Sequence, residues 1–370
     1  MENGGGNRPQ PTIYDVARHA GVSIASVSRV LNGRRNPLPD TRERVMQAVA
    51  ELGFIPDGAA RALSARLKEI VGVVYRRVAR VEGSDLAFTE EDESLQFADV
   101  INRGIEVAAQ DSGFNLLISS VDANDHDAGS RILALARKCD GLILHDQVLE
   151  PGQLGRVSRH ARVVTLAGVP TRTTANVRGD NAGGMRELVR HLAGCHGYRS
   201  LAYLAGFADS PDNVTRRDAA EQAAAESGIS IITGPQWQGD YYAASGAKVI
   251  DRLIASRADL PRAIICANDQ TALGVVYALA RHGVDVPGEV AVTGFDDIPV
   301  ARRVRPQLTT VRQPIQELGA TAFETLHAMI TGRTSPPDIV LPTRLICRES
   351  CGCPSQPDAG GLGPAVRGAR

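Results

Sequence analysis

The sequence predicts an all-α helix-turn-helix module followed by an α/β core of two Rossmann-like lobes. Three observations carry this. Residues 12–68 have a helical, basic texture. From Ile70 onward, short β-rich apolar runs alternate with amphipathic helical patterns, which implies parallel sheets covered on both faces. About 280 residues of this alternation are too many for one simple sheet, so two lobes are expected.

Charge supports the partition. The 370 residues hold 41 Lys+Arg against 42 Asp+Glu, a net charge of −1 that on its face argues against nucleic acid. Residues 8–68, however, hold ten basic and five acidic residues, so this segment is net +5 and the remainder is acidic. Such asymmetry points to a nucleic-acid partner for the small module alone. At 43% hydrophobic, the chain can bury a real core.

No apolar run approaches the ~20 residues that span a bilayer, and residues 1–11 carry no signal-peptide pattern. A cytoplasmic protein with no membrane partner is expected. Six cysteines, at 139, 195, 266, 347, 351 and 353, suit a reduced compartment. Cys347, Cys351 and Cys353 are spaced C-x3-C-x-C without a fourth ligand nearby in sequence. Structural zinc wants four, so a bland thiol-bearing tail is expected, with no metal and no cofactor.

The elements follow in order. Residues 1–10 read as a flexible arm. Thr12 is a candidate N-cap, with Asp15 near the positive end of a helix whose apolar stripe is Val16, Ala17 and Ala20. Gly21 ends it. Ser23 caps a second helix, 24–31, with Val27, Val30 and Leu31 inward. Thr41 begins a third, with Val45, Val49 and Leu52 at helical spacing. Two short helices joined by a glycine turn and backed by a third describe a helix-turn-helix, and its second helix suits the major groove. That helix faces outward with Ile24, Ala25, Ser26, Ser28 and Arg29. A three-helix protein-binding bundle has the same pattern.

In the core, strands are expected at 70–75, 116–119, 141–144, 163–167, 201–205, 263–267 and 290–294. Helices are expected at 97–112, 130–139, 181–193, 217–227, 242–257 and 269–282. A long loop, 76–96, separates the first strand from its helix and carries the acidic run Glu90–Glu93. It is either part of a pocket or a solvated lid. Residues 351–370 form a Gly/Pro-rich tail, expected to be disordered.

The stretch "TIYDVARHAGVSIASVSRVLNGRRNPLPDTRERVMQAVAELGFIPDGAARAL" resembles the DNA-binding region of LacI/GalR regulators nearly residue for residue. The resemblance continues through "DGLIL", "GDNAGG", "PRAIICANDQTALG", "GVDVPGEVAVTGFDDIP" and "PQLTTVRQP", and covers about residues 11–350. It implies a helix-turn-helix domain at 11–56, a hinge helix at 57–68 and a periplasmic-binding-protein-like core at 69–350. Crossovers between the lobes are placed near 175–180, 310–314 and 338–343.

The resemblance also assigns roles. Ile24, Ala25 and Arg29 would contact bases. Tyr14, Ser23, Ser26, Ser28, Asn32 and Thr41 would hold the DNA backbone. Leu63 would be the minor-groove wedge, since unstacking a base step opens an apolar slot. Read without the family, Leu63 is an ordinary core leucine. Asp57 stands where the family commonly has Asn, and suits a helix N-cap. A small effector, a sugar or sugar derivative, would bind between the lobes through Arg217, Tyr241, Asn268, Asp296 and Arg76. Arg216 is the alternative to Arg217, Tyr242 to Tyr241, and Arg77 shares the candidacy of Arg76. Asp269 and Asp297 are better read as helix caps than as ligand contacts.

The resemblance implies a transcriptional regulator, a repressor, acting as a homodimer on a pseudo-palindromic operator under control of the effector. The alternatives are a cytoplasmic sugar-binding protein, a regulator controlled by a protein partner, or an enzyme. Against the enzyme, no G-x-x-x-x-G-K-[ST], H-E-x-x-H or G-x-S-x-G motif occurs.

Overall fold

The structure, a computed structural model, describes residues 11–31, 38–54, 67–77, 90–122, 125, 127–145 and 148–354, without the side chains of residue 77 and residues 90–96. The expected arm, Asn32, Asp57, Leu63 with most of the hinge, and the tail beyond residue 354 lie outside the described residues. The chain divides into two compact units at residues 70/71, and each is described by itself.

The first unit holds three helices: α1 (Ile13–Ala20), α2 (Ile24–Leu31) and α3 (Pro39–Leu52). Thr12 closes a reciprocal capping box with Asp15, and Gly21 ends α1 in the left-handed region at φ 62°. Ser23 caps α2 by accepting from the Ser26 N–H at 3.2 Å. Helix α3 begins at Pro39, two residues before the expected Thr41, because proline at a first helical position presets φ. Val16, Ala17, Ala20, Val27, Val30, Val45, Ala48 and Phe54 form the core. Arg44 of α3 donates to the Ala20 and Gly21 carbonyls at 2.6–3.1 Å, clamping the C-terminus of α1.

The second unit begins with β1 (Ile70–Arg77), α4 (Glu90–Asp111), β2 (Asn115–Asp122), α5 (Ala128–Ala136), β3 (Gly141–His145), α6 (Pro151–Val157), β4 (Val163–Leu166) and β5 (Thr174–Gly179). The second lobe follows with α7 (Asn181–Gly194), β6 (Ser200–Leu204), α8 (Pro211–Glu226), β7 (Ser230–Ile232), α9 (Ala243–Ala255), β8 (Ala263–Cys266), α10 (Asp269–Arg281) and β9 (Ala291–Thr293). Then come β10 (Thr310–Arg312), α11 (Ile315–Ile330), β11 (Asp338–Leu341) and β12 (Arg344–Ile346).

One sheet has the order β11-β5-β4-β3-β1-β2 and the other β7-β6-β8-β9. The pairs from β1 through β11 and throughout the second sheet run parallel. Strands β3 and β4 are apolar and almost entirely buried, as strands covered on both faces must be. The chain crosses to the second lobe after Gly179, returns through α11, and crosses again between β11 and β12. Strands β10 and β12 pair antiparallel beside the second lobe, whose core includes Val311 and takes in Leu345.

Two boundaries depart from the sequence expectation by six residues or more. Helix α4 starts at Glu90, so the acidic run expected in the loop is its first turn. Acidic residue types favour a helix N-terminus electrostatically, a signal outweighed in the reading by the apolar pattern that starts at Phe97. Helix α8 starts at Pro211, six residues before expected, behind the cap Ser210 and with proline in its first turn.

Both lobes use glycine to bring helices to backbone contact. In the first, a methyl on Gly104 would overlap the Gln316 carbonyl and one on Gly319 the Ile101 carbonyl, where α4 meets α11. In the second, Gly274 stands against the Ala243 carbonyl and Gly246 against the Thr271 carbonyl, where α9 meets α10. The blocking atoms are backbone, so substitution forces the helices apart. Gly274→Val is therefore expected to destabilise the core by about 1–3 kcal/mol in chemical denaturation. Gly155→Ala, in a helix with open space around the new methyl, is expected to gain about 0.5–1 kcal/mol.

Candidate functional site

Two surfaces carry polar chemistry. On α2, Ile24 is 42% exposed, and Ala25 and Arg29 are exposed beside it. Ser23 is exposed, and Ser26, Ser28 and Thr41 are partly so. Tyr14 of α1 is 62% exposed. The Arg29 Nε donates to the Ala25 carbonyl at 3.1 Å, which steadies its stem along the helix. The Ser23 and Ser26 hydroxyls lie 2.9 Å apart at the helix start. The outward face of α2 is thus a ridge of small side chains with one guanidinium, between an exposed tyrosine and a helix N-terminus. Helix N-termini and hydroxyls suit phosphate, while an arginine fork suits guanine.

The second surface is a cleft of about 690 Å³ between the sheets of the core, outside the carboxyl ends of the strands. Its floor on the second lobe is built around Arg216. Helix α8 starts at Pro211, which puts Asp212 and Arg216 on one face, four residues apart. The side chain of Arg216 is 4% exposed. Its Nε donates to Asn181 Oδ1 at 2.7 Å, its Nη1 to the Ala267 carbonyl at 2.7 Å, and its Nη2 to Asp212 Oδ2 at 3.3 Å. Asn181 closes the circuit by donating to Asp212 Oδ1 at 2.7 Å. The guanidinium lies 3.9 Å over the Phe295 ring.

Asp296 stands beside this network, 3.9 Å from Arg216, and accepts from Gln313 Nε2 at 2.7 Å. Burial pushes its carboxyl up to about 7, against the pull of Arg216. Tyr241 forms an aromatic wall with Phe207, their ring centroids 5.6 Å apart, and its hydroxyl donates to Ser210 at 3.1 Å. Six non-glycine residues have positive φ among the described residues, and Ala167, Tyr241 and Asp296 of these line the cleft. Strained backbone gathers where geometry is over-determined by a site.

The first lobe supplies the opposite wall. Arg76 reaches over the Phe207 ring at 4.8 Å and lies 3.9 Å from Asp209. Arg178 is held in a bidentate pair by Asp338, across the β5–β11 edge. His145 packs on Tyr75 at 4.3 Å, and its Nε2 is closed to solvent with no hydrogen-bond partner among the described residues. Burial lowers its pKa to about 3, so it stays neutral and can donate or accept. Tyr75 donates to Asn102.

The predicted residues distribute unevenly. Arg76, Tyr241, Asn268 and Asp296 all line the cleft, as does Tyr242. Arg217 does not: its side chain is 37% exposed and pairs with Asp218 on the surface, and Arg216 takes the cleft. Asn268 lines the cleft, but its side chain is engaged. It accepts from the Thr271 N–H at 3.0 Å as the cap of α10 and donates to the Tyr241 carbonyl at 3.0 Å. Asp269 is therefore not the cap. It is fully buried and accepts from the Ile298 N–H and the Thr310 hydroxyl. Asp297 is not a cap either: it pairs with Arg312 and, at 2.7 Å, with Arg348.

The sequence alone does not point to Asn181, Asp212, Arg178, His145 or Gln313. Placing the start of α8 at Ser210-Pro211 would have found Asp212, through its i,i+4 relation to Arg216. The others depend on which strands end at the cleft. Together the cleft offers a charged, hydrogen-bonding floor and aromatic walls, a surface suited to a small hydroxylated ring.

The chain resembles known proteins over almost its whole length. Residues 12–57 match bacterial regulatory proteins of the lacI family, and residues 189–351 a periplasmic binding protein-like domain. It is 31% identical to catabolite control protein A of Priestia megaterium over 92% of this chain and 98% of that one. It is 34% identical to the HTH-type transcriptional regulator GalS of Salmonella typhimurium, over 85% of this chain and 88% of that one. A lac repressor dimer bound to operator and the anti-inducer ONPF superposes with a TM-score of 0.78 at 27% identity, covering 92% of this chain and 99% of that one. A complex of the transcriptional regulator CelR with cellobiose superposes at 0.64 and 29% identity, with the same coverage.

Two outcomes are expected from this geometry. Arg216→Ala leaves Asp212 buried and unpaired and should cost about 3–5 kcal/mol of stability by urea titration. Arg217→Ala should change stability by no more than about 0.5 kcal/mol. The second concerns Asp296. Its folded pKa lies above the unfolded value, so between about pH 4 and 7 the native state binds the extra proton and stability falls as pH rises. Asp296→Asn removes that loss. Its Tm should match the wild type near pH 4 and exceed it by about 3 °C or more at pH 8.

Proposed function

The chain belongs to the lacI family of bacterial regulatory proteins, and on that premise we propose that it is a repressor released or engaged by a carbohydrate. The family is one of DNA-binding transcriptional regulators with an effector-binding core, not of enzymes. The observation that carries the carbohydrate reading is the Arg216–Asp296 pair set in the cleft beside Tyr241. A carboxylate offers about four acceptor sites for hydroxyls, and only Gln313 among the described groups donates to that of Asp296. Aromatic faces take the apolar side of a sugar ring. The relative CelR, solved with cellobiose, supports the same ligand class.

The DNA role rests on the exposed face of α2. Ile24 and Ala25 read by methyl contact and groove shape, since neither can form a bidentate hydrogen bond. Arg29 supplies the polar base contact. Tyr14, Ser23, Ser26, Ser28 and Thr41 hold phosphates. The protein acts as a homodimer, so that two α2 ridges meet two half-sites of a pseudo-palindrome. Effector binding closes one lobe on the other about the three crossovers, and differential affinity for the open and closed forms couples the cleft to the operator.

The test is a gel-shift on the DNA upstream of the protein's own coding sequence, at low and raised salt, with a panel of sugars. A shift at low salt, weakened steeply by salt and altered by one sugar, is expected. Arg29→Ala should weaken specific binding about tenfold or more. Asp296→Asn should abolish the sugar response but leave the shift. Absence of any shift at low salt sinks the DNA reading, and a shift unmoved by every sugar sinks the carbohydrate one.

A further inference from the structure

The C-terminal cysteines stand apart from both surfaces. In the sequence they lack a fourth ligand, but the fold supplies two imidazoles. His191 lies in the last turn of α7, and His196 lies in the turn that follows, before β6. The ligand atoms of His191, His196, Cys351 and Cys353 all lie within 4.8 Å of one another. The two Nε2 atoms are 3.1 Å apart. His191 Nε2 is 3.6 Å from both Cys351 Sγ and Cys353 Sγ, and His196 Nε2 is 3.4 Å from Cys353 Sγ.

These separations have a meaning for one metal. Zinc bonds of about 2.3 Å to sulfur and 2.0–2.1 Å to nitrogen give tetrahedral edges of about 3.5–3.6 Å for N···S and about 3.3–3.4 Å for N···N. Four of the six separations fall within about 0.3 Å of those edges, and the remaining two lie within 4.8 Å, so a bound ion would draw the group slightly inward. Hydrogen bonding alone does not require four ligand atoms to converge in this way.

The surroundings hold the four groups in place independently. Gly352 adopts φ 98°, which turns the chain between the two cysteines. A methyl there would come within 3.3 Å of the Tyr198 hydroxyl and 3.4 Å of His196 Nδ1, so a larger residue would crowd the group. His196 stacks on Tyr198, with centroids 5.3 Å apart, and the Tyr198 hydroxyl donates to the Cys351 carbonyl at 2.9 Å. The Thr309 hydroxyl lies 3.0 Å from Cys351 Sγ, a supporting contact of the kind that orients metal ligands. Cys347 is different. Its sulfur is 3.7 Å from Nδ1 and 3.6 Å from Nε2 of His191, nearly equidistant, and so lies off the direction of the Nε2 lone pair.

We propose that His191, His196, Cys351 and Cys353 form a structural zinc site that ties the Cys-Gly-Cys segment to the end of α7. Four protein ligands make a closed site, without an open position for chemistry. Cys351 is buried and the other three are partly exposed, so the metal can enter from solvent.

The test uses the full chain, freed of any affinity tag and kept reduced. After equilibration with zinc and desalting, elemental analysis should find about one zinc per chain. Cys353→Ser and His196→Ala should each retain about a tenth or less, while Cys347→Ser should retain the full amount. Cobalt loading should give the visible bands of a tetrahedral ion and a thiolate charge-transfer band in the near ultraviolet. A chelator should lower the Tm of the wild type and leave that of Cys353→Ser unchanged. No zinc uptake by the reduced wild type, or equal uptake by Cys353→Ser, overturns the proposal. So does a Cys347–Cys353 disulfide whose reduction restores no zinc binding. Should Cys353→Ser fail to fold, the wild-type cobalt spectrum decides, and absence of the thiolate band overturns the site.

Discussion

A guanidinium taken almost completely out of water governs the core. Burying the charge of Arg216 costs several kcal/mol unless every donor is met. The structure gives each of its three nitrogens a partner, from three elements: Asn181 at the start of α7, Asp212 one turn before it on α8, and the Ala267 carbonyl just beyond β8. Those three chain segments cannot shift separately without stranding a charge. Phe295 fills the remaining side with its ring face. Asp296, held in the same low-dielectric surroundings, is left poised near neutrality. The stability of the second lobe and the polarity of the cleft floor therefore come from one network.

The helical module solves a smaller problem in a related way. Its core is eight apolar side chains, all but Phe54 alanine or valine, so its helix ends must be satisfied by polar groups at little cost in volume. Thr12 and Asp15 close the start of α1, and Arg44 covers the carbonyls at its end. With both ends fixed, α2 can present an outward face free of packing duties.

Much of this was legible in the sequence. The switch from helical to alternating texture at Ile70, the capping residues Thr12 and Ser23, and the matched motifs point to the fold and to several of the polar residues that line the cleft. The failures have physical causes. The sequence favours Arg217 over Arg216 because a helix rotates about 100° per residue, and a start misplaced by six residues leaves its facing undetermined. Asp269 and Asp297 look like caps in the sequence because both sit at the ends of expected strands. Whether such a carboxylate faces a helix N-terminus, a threonine or an arginine depends on strands distant in sequence, here β10 and the segment near Arg348. His191 and His196 lie more than 150 residues from Cys351 and Cys353, so no local spacing could reveal them.

The threefold passage between the lobes also orders events during synthesis. Most of the second lobe, from α7 through β10, leaves the ribosome as nearly one continuous stretch, but the first lobe needs α11 and β11, which follow it, and the second is closed only by β12 and the segment up to Cys351. Until Leu341 has emerged, β5 is an open edge and the face of β3–β5 that α11 covers is bare. Unpaired edges and bare apolar faces are what nascent chains lose to aggregation. Both lobes are thus completed by the same late stretch, and truncation within the final thirty or so residues of the core would wound the two together.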